Sequence, residues 1–163
     1  MSWTIFILIW VALQRLAELV LARRNTRNLL ALGAREVGAR HYPVIVAFHG
    51  VWLLGLFWLS GQAVINWWLI GLFVILQALR LWILATLGSR WTTRVLVVPG
   101  EQLVATGPYR FVRHPNYLVV ALEIFVLPLA FGFYAYALVG GLINLAILGF
   151  RISVENGALA GNN

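Results

Sequence analysis

The chain contains no cysteine, no lysine and no aspartate, and charged residues of every kind make up only 10% of its 163 positions. Without cysteine there is no disulfide framework, no thiol nucleophile and no Cys-ligated zinc. The scarcity of charge excludes a disordered chain and argues against a water-soluble domain, which carries roughly 25% charged residues. What fills the space is apolar: 62% of residues are hydrophobic and mean hydropathy is +0.89. Such a composition belongs to a small polytopic membrane protein, and no internal repeat, low-complexity tract or soluble second domain interrupts it.

The twelve basic residues are all arginine and the five acidic ones all glutamate, a formal net charge of +7. Between Ala22 and Tyr42, Arg23, Arg24, Arg27, Arg35 and Arg40 face only Glu36; between Gly88 and Asn116, Arg90, Arg94, Arg110 and Arg113 face only Glu101. The remaining six charges cancel. All the excess sits in two interhelical loops, as the positive-inside rule produces. The pattern therefore reads as membrane topology with both basic loops cytoplasmic, and not as nucleic-acid binding.

Apolar runs predict an all-α integral membrane fold of five transmembrane helices in one domain, 1–163. The spans are approximately 3–21, 43–59, 64–87, 115–131 and 134–150, with loops 22–42 and 88–114. The amino terminus lies outside, the carboxyl terminus inside, and the last two helices form a hairpin. Trp3–Leu21 lacks the basic leader and small-residue cleavage site of a signal peptide, so it is expected to be retained. Trp58, Trp67 and Trp68 flank the tight turn at Ser60-Gly61-Gln62 as an interfacial aromatic belt, with Tyr42 and Trp91 at the other interface. A helix over Leu118–Phe131 would cover only about 21 Å of a roughly 30 Å core. The fourth helix is therefore expected to start at Pro115, since proline suits a first helical position, and Pro128 to bend it near its outer end.

Chemistry concentrates in the second basic loop, which ends LVATGPYRFVRHPNY from Leu103 to Tyr117. Gly107-Pro108 forces a turn, Tyr109 and Phe111 offer flat apolar faces, and Arg110, Arg113 and His114 supply donors just before the helix that Pro115 opens. The unpaired N–H groups and partial positive charge of a helix N-terminus favour an anion. The loop suits a ligand with a flat base and an anionic group; contact with anionic lipid headgroups uses the same residues. Arg151 and Glu155, four apart at the cytoplasmic end of the fifth helix, would join His114 and Tyr117 at one mouth, or form an interfacial ion pair.

Glu123 lies at membrane depth, where an ionisable side chain is a functional candidate; a structural pair with Arg80 is the alternative. Arg15 and Glu18 read as an internal pair, and Asn144 as an interhelical hydrogen-bonding residue. His41 and His49 form no metal-ligand pattern, so no metal is expected. A transporter or scaffold would need intramembrane charges in a path across the bilayer, and Arg15, Glu18, Arg80 and Glu123 lead to no outer face.

The run Gly107-Pro108-Tyr109-Arg110, then Arg113-His114-Pro115-Asn116-Tyr117, then Arg151 and Glu155 after a helical hairpin, resembles the isoprenylcysteine carboxyl methyltransferase family from about Leu79 onward. The upstream residues Arg15…Glu18-Leu19, Gly33-Ala34-Arg35-Glu36, His41-Tyr42-Pro43 and His49 look like a bacterial branch whose members accompany type III polyketide synthases and O-methylate alkylpyrones or alkylresorcinols. The resemblance implies an integral membrane enzyme using S-adenosyl-L-methionine. It implies cofactor contacts at Val104, Thr106, Gly107, Tyr109, Arg110, Arg113, His114, Pro115, Asn116 and Tyr117, and catalytic roles for Arg151 and Glu155, with Glu123 the further candidate from its depth. It implies a lipophilic acceptor entering from the bilayer, phenolic or pyrone in type, with a prenylcysteine carboxylate or small thiol as the alternative, in a bacterial inner membrane. Asn156 stands where the family carries a second glutamate, and the chain stops at Asn163 without the aromatic-rich tail of larger members. Both departures weaken the transfer of prenylcysteine specificity more than that of cofactor binding.

Overall fold

The computed structural model describes residues 3–39, 42–100 and 104–160; Arg40, His41, Glu101 and Leu103, which enter the sequence reading, lie outside the described residues. The chain runs α1 (Trp3–Ala31), β1 (Arg35–Val37), α2 (Tyr42–Leu59), α3 (Trp67–Leu87), β2 (Val95–Val97), α4 (Pro115–Ala130) and α5 (Tyr134–Ala160). Four stretches, Trp3–Ala31, Tyr42–Gln62, Trp67–Arg90 and Tyr134–Gly157, are long and apolar enough to cross a membrane. Their large apolar side chains point outward in quantity, Trp58 being 89% and Trp68 91% exposed. A water-soluble surface does not carry apolar patches on that scale, whereas lipid tails solvate them. The fold is an α-helical integral membrane one.

Helices form at the five places where spans were expected, but Pro115–Ala130 is not among the four long enough to cross, and several ends differ. The first helix does not stop at residue 21. Nothing in Ala22–Ala31 breaks a helix, so α1 continues until Gly33, which takes φ +91, and Ala34 N–H bonds back to the Leu29 carbonyl. Arg23, Arg24 and Arg27 thus stand exposed on helix rather than in a loop. The third helix starts at Trp67 and not at Val64, because the Asn66 side chain accepts from the N–H groups of Trp68 and Leu69 as an N-cap. The fifth runs on to Ala160, ten residues past its expected end. α4 begins at Pro115 as expected and keeps Pro128 in its last turn, but its 16 residues reach only about 24 Å. It is shorter than the other four and packs between α3 and α5.

The two basic loops are also not independent. β1 and β2 pair as an antiparallel ribbon, Arg35 opposite Val97 and Val37 opposite Val95, and the Arg94 guanidinium donates to both Glu36 carboxylate oxygens, at 3.0 and 2.8 Å. α1 is pinned to the same region by the buried Asn25 amide, which donates to the carbonyls of Gly88 and Trp91. At the opposite end the turns interlock: Val64 N–H donates to Phe131 O and Asn66 N–H to Ala130 O. One end of the bundle is therefore aromatic and the other basic, and α1 and α5, at 29 and 27 residues, are longer than a roughly 30 Å core by about 13 Å and about 10 Å. The excess of α5, which starts at the aromatic end, is at the basic end.

The intramembrane charges gather in one place. Arg80 of α3 binds Glu18 of α1 through Nε at 2.7 Å and Nη2 at 2.5 Å and reaches Glu123 of α4 at 3.3 Å. Arg15 binds Glu18 at 3.1 Å and Glu123 at 2.7 Å, while Gln77 bridges Gln14 and Glu123. Two guanidiniums and two carboxylates make a neutral cluster joining α1, α3 and α4. The anticipated Arg80–Glu123 and Arg15–Glu18 pairs are both there, as parts of a single network. Asn144 does not form the interhelical bond expected of it: both amide atoms are fully buried and bond no described residue.

Candidate functional site

At the basic end the segment after β2 folds back beneath α3. Gly107 opens a single helical turn, Gly107–Arg110, with φ +55, and a Cβ placed there would stand 2.5 Å from Thr86 Oγ1. Only glycine satisfies both the left-handed backbone and the close approach. Gly107→Ala is expected to destabilise the protein by about 1–3 kcal/mol. Gly107→Ala with Thr86→Ala should recover part of that, as read from denaturation in detergent; a lone Gly107→Ala that unfolds like the wild type would contradict the close contact.

The turn delivers Tyr109 half-buried against the core. Burial, with the Glu155 carboxylate nearby, pushes its hydroxyl up to about 12, so it stays a neutral donor at any physiological pH. The chain then passes exposed Phe111, whose ring lies 5.2 Å from the Arg110 guanidinium, and exposed Arg113. It enters α4 at His114, the N-cap residue, with Pro115 first in the helix. The His114 ring stacks on Tyr117 one turn later, centroids 5.3 Å apart and planes at 15°.

Against this face α5 sets its last turns. Tyr117 donates its hydroxyl hydrogen to Glu155 Oε2. Arg151, buried, donates from Nε to the Tyr117 oxygen at 2.8 Å and from Nη2 to the Thr93 carbonyl at 2.7 Å. Its guanidinium lies 5.4 Å from the Tyr117 ring centroid. His114 Nδ1 is 3.8 Å from Glu155 Oε1. Two of the five guanidinium N–H groups are engaged by these bonds, in fixed directions.

The structure thus brings together His114, Tyr117, Arg151 and Glu155, with Tyr109 close by. Val104 is half-buried on the approach, and Thr106, Arg110 and Arg113 are exposed on the loop. It does not bring Glu123 to them. Six residues beyond Tyr117, at about 100° each, Glu123 is turned about 120° away round α4, and its carboxylate is taken up by Arg15, Arg80 and Gln77.

Three polar atoms in these segments are buried without a partner among the described residues: His114 Nε2, Asn116 Oδ1 and Asn156 Oδ1. The two amide oxygens accept, and Nε2 of His114 accepts when the ring carries its hydrogen on Nδ1, toward Glu155. Leaving a buried acceptor unmet costs about 1–3 kcal/mol, and a ligand with several N–H or O–H donors would meet them. S-adenosylmethionine, with an ammonium and an exocyclic amine, fits that need, and the ring faces of His114, Tyr117 and Phe111 suit its base. A separate cavity of 790 Å³ at the aromatic end, between Asn66, Trp67, Phe131 and Tyr134, carries no carboxylate, guanidinium or imidazole.

The Thr93 carbonyl and the ribbon behind it were not legible in the sequence. The valine-rich run Val95–Val98 is a faint strand signal, but no local pattern tells Glu36 to meet Arg94 or Thr93 to meet Arg151.

The family whose sequence model matches residues 69–161 is described as "Isoprenylcysteine carboxyl methyltransferase (ICMT) family". A protein of Bacillus subtilis (strain 168), described as "Uncharacterized protein YpbQ", is 40% identical over 164 residues, covering 98% of this chain and 96% of the relative. An "Uncharacterized protein" of Haemophilus influenzae is 26% identical over 152 residues, covering 90% and 88%. No solved structure matches.

Proposed function

Because the chain belongs to the isoprenylcysteine carboxyl methyltransferase family, a family of membrane methyltransferases, we propose that it uses S-adenosylmethionine to methylate an oxygen of a lipophilic acceptor, a phenolic or pyrone lipid. The observation that carries this reading is the meeting of His114 and Tyr117 with Arg151 and Glu155 at one mouth, beside the three buried polar atoms without a partner among the described residues. Positive-inside asymmetry supports a cytoplasmic mouth and an outside amino terminus, in a bacterial inner membrane.

His114, Asn116, Tyr117 and Asn156 would hold the cofactor, with the loop from Val104 to Arg113 as its outer wall. When bound, S-adenosylmethionine supplies a methyl group on a positively charged sulfur. The protein's own work is alignment, exclusion of water and the handling of one proton. Arg151, fixed by Tyr117 and Thr93, turns its remaining N–H groups to an anionic acceptor oxygen. A phenol, with a pKa near 10 like tyrosine, needs a base, and Glu155 takes its proton, steadied by the Tyr117 hydroxyl. A carboxylate acceptor is already ionised and needs none. The apolar flanks of the helices let a lipid acceptor arrive sideways while a polar cofactor arrives from water.

Calorimetry on detergent-purified protein should detect S-adenosylmethionine binding, weakened at least about tenfold in His114→Ala, as loss of a ring stack and a buried polar contact implies. Well-behaved protein that binds no cofactor would end the enzyme reading. Incubation with labelled cofactor and lipid extract identifies the acceptor: a phenolic or pyrone ether supports the proposal, whereas a prenylcysteine ester or a water-soluble thioether replaces its acceptor.

A further inference from the structure

Both groups that bond Arg151, the Tyr117 hydroxyl and the Thr93 carbonyl, lie within the residues the family match covers, but part of what steadies Thr93 lies outside them. The Thr93 carbonyl, which receives Arg151 Nη2 at 2.7 Å, sits just before β2, and the residues around it are tied from three directions. Tyr42, the first residue of α2, shares a hydrogen bond between its hydroxyl and Thr93 Oγ1 at 3.0 Å. The Arg94 guanidinium lies 4.8 Å from the Tyr42 ring centroid while gripping both oxygens of Glu36 on β1. Thr92 Oγ1 donates to the Arg94 carbonyl at 2.8 Å, tightening the turn. Glu36 and Tyr42 precede residue 69, where the match begins.

We infer that Tyr42 is a positioning residue for Arg151, acting through Thr93, and that the first interhelical segment is thereby part of the active site. Arg151 is held on one side by Tyr117 of α4 and on the other by a backbone carbonyl. A carbonyl on a connecting segment is only as steady as what anchors the segment. Here the anchor is the Tyr42–Thr93 bond, backed by the ring under Arg94. The exposed part of the Glu36–Arg94 pair adds little by itself; its effect is to keep Arg94 over Tyr42. A guanidinium free to swing away from Thr93 loses the direction in which its other N–H groups point, and small misplacements of such groups are costly to a reaction.

The inference rests on the methyltransferase reading for its consequence, but not for its test. The Nε–H signal of Arg151 can be followed by NMR in arginine-labelled, ligand-free protein in micelles, assigned by its loss in Arg151→Lys. Tyr42→Phe, which keeps the ring, and Thr93→Val, which keeps the backbone carbonyl, should each speed solvent exchange of that hydrogen roughly fivefold, the worth of a typical net hydrogen bond. The double variant should be no faster than either single one, because both remove the same bond. With labelled cofactor and lipid extract, Tyr42→Phe should lower kcat and leave KM for S-adenosylmethionine unchanged. Unchanged exchange in both single variants, or additive effects in the double, overturns the inference. If the wild type transfers no methyl group, the functional reading falls while the exchange comparison still decides this one.

Discussion

Replacing Arg151 with lysine is expected to cut methyl transfer at least about a hundredfold while leaving S-adenosylmethionine affinity essentially unchanged. The guanidinium makes two divergent bonds, Nε to the Tyr117 oxygen and Nη2 to the Thr93 carbonyl, and only a planar fork can make both and still direct further donors at an acceptor. An ammonium keeps the charge but not the geometry, so the loss should appear in kcat. Glu155→Gln should fall comparably for a phenolic acceptor and much less for a carboxylate, since only the phenol surrenders a proton. The measurement is initial rate with labelled cofactor and the identified lipid, beside calorimetric Kd. A lysine variant with wild-type turnover would show that Arg151 holds helices together and nothing more.

The second large effect concerns stability. Arg80→Met should destabilise the protein by about 3–5 kcal/mol, the usual result of breaking a buried ion pair from one side. Arg80 is the partner of both Glu18 and Glu123, its side chain 6% exposed and theirs 7% and 4%. Removing it leaves two carboxylates with a single guanidinium, Arg15, in a region where charge is costly. Glu18→Gln combined with Arg80→Met should be less damaging than Arg80→Met alone, because the pair is then removed together and the cluster stays neutral. Denaturation midpoints in detergent compare the two. An Arg80→Met protein as stable as the wild type would mean the cluster contributes nothing to holding α1 on α3 and α4.

Both expectations bear on how far the sequence could be read. The Arg80–Glu123 partnership was available from two charges at similar depth, but Glu18 and Arg15 joining the same network was not, since each already has a neighbour on its own helix. The same ambiguity left Glu123 as a catalytic candidate. Depth in a span marks a residue as costly, and only the rotation of α4 against α3 and α5 says which way it faces. Asn144 is the opposite case: a polar side chain in a span was expected to find a partner, and α5 packs it where none is offered.

By itself the sequence determined the elements whose signal is local. Apolar runs set the five helices, Pro115 set the start of α4, and the Gly107–Tyr117 motif with Arg151 and Glu155 marked a candidate site. Those patterns repeat every few residues or sit within one turn, so they need no knowledge of the rest of the chain. Tertiary structure alone decided the ribbon that pairs Glu36 with Arg94 across 58 positions, the Thr93 carbonyl on Arg151, and the turn of Glu123 into the buried cluster with Arg15 and Arg80. Each depends on which surfaces meet after packing, and a contact between distant residues leaves no periodic trace in a single sequence.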